Sequence, residues 1–336
     1  MKVSLPTAEL ELTYRCNFNC VHCCCKGCES SGNELTTAEV KSVIDQLYHT
    51  GCLNLSLTGG EPLLREDFPE IYLYAVKKGF LVTVLTNGAL INNAHLRLFE
   101  RYNPSQIEIS LHGMSPEIFS KVTGTVGNRA KVFRNIKKII RAKIPLLLKT
   151  VGMSINKTEI TLLKDYARGL LGPKGFKFDY LIVPKLNRDL APLNYRLSAG
   201  EVYQLVKGDR YFRAEFAQLK SKALRLPRDK RFVFQCNASL DSVSIDPFGR
   251  VRPCGLLGPM FVDLKKVSLQ DALEKRLPKF LKMQFQTPTL CRDCALRVFC
   301  SFCPARSYLE KRSYESPIDY FCELAAFKVK LRDELL

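Results

Sequence analysis

From residue 8 to about 182 the chain alternates short apolar runs with stretches in which apolar residues recur every three or four positions. Runs of the first kind read as strands and stretches of the second as amphipathic helices; their alternation is the pattern of βα units around a parallel sheet. The apolar runs predict strands over 9–13, 53–58, 81–86, 106–111, 145–151 and 176–182. Helix starts are marked between them: Thr36 with Glu39 and Asn156 with Glu159 have capping-box spacing, and Ser115 before Pro116 reads as an N-cap followed by proline in the first turn. Six βα units close only part of an eight-stranded barrel, so the expected α/β fold is an open, curved (β/α)6 sheet, a partial TIM-like barrel.

After Pro184 the alternation stops. Residues 185–235 read as a polar, basic connector with one helix opened by Ser198 and Glu201. Beyond it, 242–245, the turn Asp246-Pro247-Phe248-Gly249 and 251–253 predict a hairpin. The rest has too little apolar periodicity for a large core and is expected to need metal to fold. The expected division is 1–184, 185–235 and 236–336.

Of 336 residues, 46% are apolar and 25% charged, ordinary globular values that argue against wholesale disorder. No run of 18 apolar residues spans a bilayer, and MKVSLPTAELELT lacks the apolar region of a signal peptide, so the expected compartment is the cytoplasm. There, 14 cysteines read as metal ligands or reactive groups rather than as a disulfide framework. Six lie between Cys16 and Cys28 and seven between Cys236 and Cys322, with Cys52 the one outlier, read as a small buried residue opening an apolar strand.

Cys16, Cys20 and Cys23 follow the first strand with three and then two intervening residues, a spacing that wraps three thiolates around one cubane. A 4Fe-4S cube has four iron corners, so three ligands leave one iron open to chelate a substrate or cofactor; zinc or free thiols are the plainer readings of three cysteines alone. Thr58-Gly59-Gly60-Glu61-Pro62 follows the second strand at the ligand-binding end of such sheets. Its glycines let backbone approach a ligand closely, and the Glu61 carboxylate can accept from a cationic amine; taken alone, it reads as a strand-to-helix turn.

Over residues 8–182 the chain resembles the radical S-adenosylmethionine (SAM) superfamily, whose cluster loop has this spacing and position. The resemblance implies a 4Fe-4S cluster on Cys16, Cys20 and Cys23 that binds SAM, reductive cleavage of SAM to a 5′-deoxyadenosyl radical, and hydrogen-atom abstraction from a substrate. It also implies an electron donor such as flavodoxin or ferredoxin. Gly59, Gly60 and Glu61 would hold the SAM amino group, and Asn87 after strand three with Ser110 and His112 after strand four would line the same site; turn and loop roles are the alternatives for those last three. Cys24, Cys25 and Cys28 are in excess of what the loop needs and receive no role.

Cys236, Cys254, the pairs Cys291/Cys294 and Cys300/Cys303, and Cys322 make seven further thiols. Paired Cys-x-x-Cys units alone suggest zinc, but seven is awkward for zinc, whereas four plus three suits one fully and one partly ligated cluster. The region resembles the SPASM extension of radical SAM enzymes, which holds two auxiliary 4Fe-4S clusters. The resemblance implies Cys236, Cys254 and Cys303 at the inner cluster, and Cys291, Cys294, Cys300 and Cys322 at the outer. The two residues between Cys300 and Cys303 depart from the usual three.

Lys and Arg total 51 against 33 Asp and Glu, a net charge of +18, falling to about +14 with three clusters bound. Lys207, Arg210, Arg213, Lys220, Lys222, Arg225, Arg228, Lys230 and Arg231 crowd the connector against Asp209, Glu215 and Asp229. That run is either a solvated face or a surface that attracts an acidic peptide. SPASM relatives mainly modify peptides and proteins. The expectation is therefore a peptide-modifying enzyme of the natural-product maturase type, forming a cross-link, epimerised centre or oxidised residue. A small-molecule radical SAM enzyme is the alternative, and a zinc-bearing RNA-binding protein the remote one, since the basic residues are not interleaved with a clear run of stacking aromatics. Only 15 residues precede Cys16, so no separate leader-binding domain is expected before the barrel.

Overall fold

The computed structural model describes residues 5–27, 33–209, 229–236, 241–300 and 302–335. Cys28 and most of the basic connector, Arg210, Arg213, Glu215, Lys220, Lys222, Arg225 and Arg228 included, lie outside the described residues. Six parallel strands form in chain order: β1 (Thr7–Glu11), β2 (Asn54–Thr58), β3 (Leu81–Thr86), β4 (Gln106–Ser110), β5 (Leu146–Val151) and β6 (Phe176–Asp179). Each predicted strand is present with ends shifted by up to three residues, and the partial (β/α)6 barrel stands. The hairpin is also present, as β7 (Ser242–Ile245) and β8 (Arg250–Arg252), followed by β9 (Val262–Asp263). It does not stand apart, because β7 pairs parallel with β1, setting Ile245 level with Leu10 in one nine-stranded sheet.

One face of each barrel strand is apolar. Ala8, Leu10, Leu55, Leu57, Val82, Val84, Ile107, Ile109 and Leu148 are at most 1% exposed, covered by helices. Helix α1 (Thr37–His49) shows how: Val40, Val43, Ile44 and Leu47 recur on one face and are buried, and Thr36 and Glu39 close the predicted capping box. The opposite, concave row reads Ser244, Glu9 and Ser56 across β7, β1 and β2, then Glu108, Ser110 and Lys149 on β4 and β5. Closed parallel barrels fill that face with branched apolar side chains. Here polar side chains stand among Leu85 and Leu147, and Lys149 Nζ pairs with Glu108 Oε2 at 3.4 Å, so the open barrel lines a chamber.

The capping box expected at Asn156 and Glu159 does not form. Asn156 instead accepts from Met153 N at 2.8 Å and donates to His112 O and Val151 O, both at 3.0 Å. Glu159 accepts from the backbone N–H groups of Met114 and Ser115. Both side chains are drawn into holding the end of β4, where buried backbone groups require partners. Ser115 with Pro116 caps helix α4 (Pro116–Thr123), and Ser198 with Glu201 caps α7 (Ala199–Lys207), as expected. Cys52 is buried. Among the described residues no helix is long and apolar enough to cross a membrane.

Candidate functional site

The cysteine loop leaves β1 and is gripped from three sides. Asn19 N donates to Thr123 O at 2.8 Å and Val21 N to Val122 O at 3.0 Å, fastening it to the end of α4. Gly124, left-handed at φ 62°, permits this: a Cβ there would lie 2.6 Å from Asn19 O. From below, Glu34 accepts from Tyr14 N at 2.9 Å and Thr13 Oγ1 at 2.7 Å. The Gly59–Glu61 turn makes the third grip, with Gly60 N donating to Thr13 O at 2.7 Å and Glu61 N to Arg15 O at 2.9 Å.

That contact gives the two glycines their reason. A Cβ on Gly59 would stand 2.3 Å from Thr13 O, and one on Gly60 2.3 Å from Arg15 O. The close approach they allow is to the backbone leading into Cys16, where the sequence suggested a ligand. Glu61 is completely buried: Oε1 accepts from Thr86 Oγ1 at 2.7 Å and Leu63 N at 3.2 Å, and Oε2 from Asn87 N at 2.7 Å. Burial pushes its carboxyl up to about 7, with these donors resisting. Asn87 continues the chain of contacts, donating from Nδ2 to Asn17 Oδ1 at 2.8 Å and lying 3.9 Å from Cys16 Sγ. Glu61, Asn87 and Cys16 are thus one connected unit. Asn17, Thr86 and Gly124 join it without any sequence signal beyond a helix-ending glycine and a strand-ending threonine.

His112 is buried, its Nδ1 accepting from Val151 N at 3.3 Å, and its ring meets His22 edge-on at 4.6 Å. Burial holds both imidazoles neutral, His22 down to about 4. Ser110 ends β4 level with Lys149 on the concave face. Cys24 and Cys25 lie with sulfurs 3.7 Å apart, Cys25 facing Glu11 Oε1 at 3.9 Å.

The thiols fall into three electrostatic groups. Burial pushes Cys20 up to about 12, with Cys23 and Cys16 adding like-charge repulsion. Burial likewise raises Cys254, with Cys303 and Cys236 as its thiol neighbours. It raises Cys291, with Cys322 and Cys294, and Cys300, with Cys322 and Cys291. These neighbours are the sets that the SPASM resemblance implied. Cys236, Cys254 and Cys303 also line one cavity of about 750 Å3 that reaches Glu9, Ser56 and Ser244 on the concave face. Thiolates gathered in poorly solvated pockets need a cationic core to balance them, and an all-sulfur donor set suits iron. Among the described residues no three His, Cys, Asp or Glu side chains converge on a single-ion site. In the crowded basic run of the connector the described cations are matched within the chain: Lys207 pairs with Glu334, Lys230 with Asp293 and Arg231 with Asp229.

Residues 10–166 match the family model described as the radical SAM superfamily. The chain is 27% identical over 305 residues to the antilisterial bacteriocin subtilosin biosynthesis protein AlbA of Bacillus subtilis, covering 88% of this chain and 66% of that protein. It is 26% identical over 326 residues to the AdoMet-dependent heme synthase of Methanosarcina barkeri, covering 90% and 92%. Among solved structures it shares its fold with native anSMEcpe bearing AdoMet and the Cp18Cys peptide, at TM-score 0.74 and 17% identity over 99% of this chain and 98% of that one. Residues 10–166 are a radical SAM domain, and the chain is an enzyme that uses it.

Proposed function

We propose that the enzyme modifies a peptide or protein side chain or backbone held in the chamber of the partial barrel. The observation that carries this is the convergence of the cysteine loop, the Gly59–Glu61 turn and Asn87 at the mouth of the concave face. Cys16, Cys20 and Cys23 would hold a 4Fe-4S cluster, with Gly59, Gly60, Glu61, Asn87, Ser110 and His112 around SAM. When bound, the cluster and SAM supply an electron and an organic radical able to abstract hydrogen. Glu61, buried and committed to Thr86 and Asn87, positions that loop, and the backbone around it would face SAM. His22 and His112, kept neutral by burial, wall the loop against water. Cys236, Cys254 and Cys303 would hold one auxiliary cluster open to the chamber, and Cys291, Cys294, Cys300 and Cys322 a second, outer one.

The peptide reading draws on AlbA, named for bacteriocin biosynthesis, and on anSMEcpe, solved with a peptide. The heme synthase relative favours a small-molecule substrate as the second reading. The deciding experiment is anaerobic reconstitution followed by incubation with SAM, dithionite and short peptides encoded beside the gene, read by mass spectrometry. The expected result is a mass change on one peptide, lost without SAM. Formation of 5′-deoxyadenosine with every peptide unchanged, while a small molecule is consumed, turns the assignment to the second reading.

A further inference from the structure

A second cavity, of about 380 Å3, opens beside the cysteine loop. Tyr14 at the start of that loop, Asn187 and Arg188 in the segment after β6, Arg250 and Arg252 on β8, and Tyr308 form its walls. Because β7 runs parallel to β1 with Ile245 level with Leu10, the turn that follows, and the cavity with it, stands at the same end of the sheet as Cys16.

Among the described residues the charges there do not balance. Three guanidinium groups meet one carboxylate, Asp246, which is fully buried and already saturated. Its Oδ2 accepts from Arg252 Nη2 at 2.6 Å, and its Oδ1 from the backbone N–H groups of Phe248 and Arg250 at 3.0 and 2.9 Å. Arg252 is only 4% exposed, yet its Nε and Nη1 find no hydrogen-bond partner among the described residues. Arg250 lies over the Phe248 and Phe261 rings, and Arg188 over Tyr308 at 5.7 Å. Neither has a carboxylate within ion-pair distance among the described residues. Glu11, the next carboxyl along, is bonded to the Tyr14 hydroxyl at 3.1 Å, and burial followed by repulsion from Glu9 lifts it to about 8 against the pull of Arg252. Elsewhere the chain matches its enclosed arginines: Arg65 with Asp67, and Arg196 with Glu310. A cavity left with about two uncompensated cations and unmade guanidinium donors is short of an anion.

We propose that this cavity is an anion subsite that takes a carboxylate, the side chain of an acidic residue or the terminus, of the substrate peptide. It rests on the peptide reading above. Guanidinium forks pair with carboxylates in two parallel bonds, and Leu186, Pro259 and Tyr308 offer the methylenes of Asp or Glu an apolar wall. Its walls include the start of the connector, Leu186 to Arg188, but none of the Lys207–Arg231 run, whose described cations are already matched.

The test measures binding of a tetraglutamate peptide to the reconstituted holoenzyme by calorimetry, with tetraglutamine as the uncharged comparison and inorganic phosphate as competitor. Arg188→Gln with Arg250→Gln removes the two unpaired cations, and Arg252→Lys keeps the charge but not the fork. Arg134→Gln with Lys137→Gln removes the same charge from exposed positions on the helix Asn128–Arg141. Circular dichroism and iron content, matched to the parent, confirm folding. The expected result is preference for tetraglutamate over tetraglutamine, weakened about tenfold or more by the first pair and unchanged by the distant pair. Equal weakening by both pairs, no preference over tetraglutamine, or displacement by equimolar phosphate overturns the carboxylate subsite. If binding discriminates as expected but no peptide is ever modified, the subsite stands and the peptide reading falls.

Discussion

Gly60→Ala tests whether the Gly-Gly-Glu turn is built against the cysteine loop. The added Cβ would stand 2.3 Å from Arg15 O and 2.7 Å from Tyr14 O, where real Cβ contacts stay beyond 3.0 Å. Turn or loop must therefore retreat by roughly 0.7 Å, and a backbone carbonyl cannot swing aside as a side-chain end does. Gly60 does not have a positive φ, so the contact alone sets the cost. The retreat strains two hydrogen bonds, Gly60 N to Thr13 O and Glu61 N to Arg15 O. A buried group left unmade costs about 1–3 kcal/mol, so the two together cost roughly 2–6 kcal/mol. Arg15 adjoins Cys16, and even the lower figure corresponds to more than a tenfold loss at about 1.4 kcal/mol per decade. The variant should retain less iron than the parent, bind SAM at least tenfold more weakly by calorimetry, and form little 5′-deoxyadenosine under dithionite. Gly169→Ala is the comparison, since nothing lies within 4 Å of its added Cβ, and a helical Gly-to-Ala change stabilises by up to about 1 kcal/mol. A Gly60→Ala enzyme with parental iron, SAM affinity and SAM cleavage would refute the packing argument.

Replacing Cys16, Cys20 and Cys23 together by Ala should abolish reductive SAM cleavage while the auxiliary iron stays; undiminished 5′-deoxyadenosine would contradict the ligand assignment. Cys254→Ala with Cys303→Ala should remove about four irons per chain and leave uncoupled SAM cleavage in place; loss of all iron would deny the separate grouping. Glu61 has a folded-state pKa raised from 4.5 to about 7, so its contribution to stability is fully present below 4.5 and is lost as pH rises through 7. That span is worth roughly 3 kcal/mol. The stability difference between parent and Glu61→Gln, followed by thermal melting, should therefore shrink from pH 5 to pH 8, and a constant difference would count against a buried titrating carboxyl. Arg196→Ala strands Glu310 in an 11%-exposed ion pair and should cost about 3 kcal/mol; an unchanged melting temperature would show that the pair is solvated.

The sequence by itself determined the six strands, the cap at Thr36, the cysteine loop and the radical SAM domain, because each is written in neighbouring residues: apolar periodicity, a hydrogen-bonding side chain three residues from its partner, thiols a few residues apart. What only the tertiary structure decided are contacts between segments far apart in the chain. Asn156 and Glu159 have capping-box spacing, yet their side chains bond the segment after β4, whose backbone groups lack partners of their own. Gly60 looks like a ligand-approach glycine, and only the position of Arg15 O shows what it makes room for. The hairpin reads as a local unit, but its first strand finds an open edge at β1, and unpaired strand edges are costly. The unbalanced arginines follow from the same event: Arg188 and Arg252 are 64 residues apart in the chain, and the cavity they share exists only because the hairpin docks beside the cysteine loop. Net charge is additive along a sequence, whereas the local imbalance that makes a binding site depends on which charges the fold leaves without a partner.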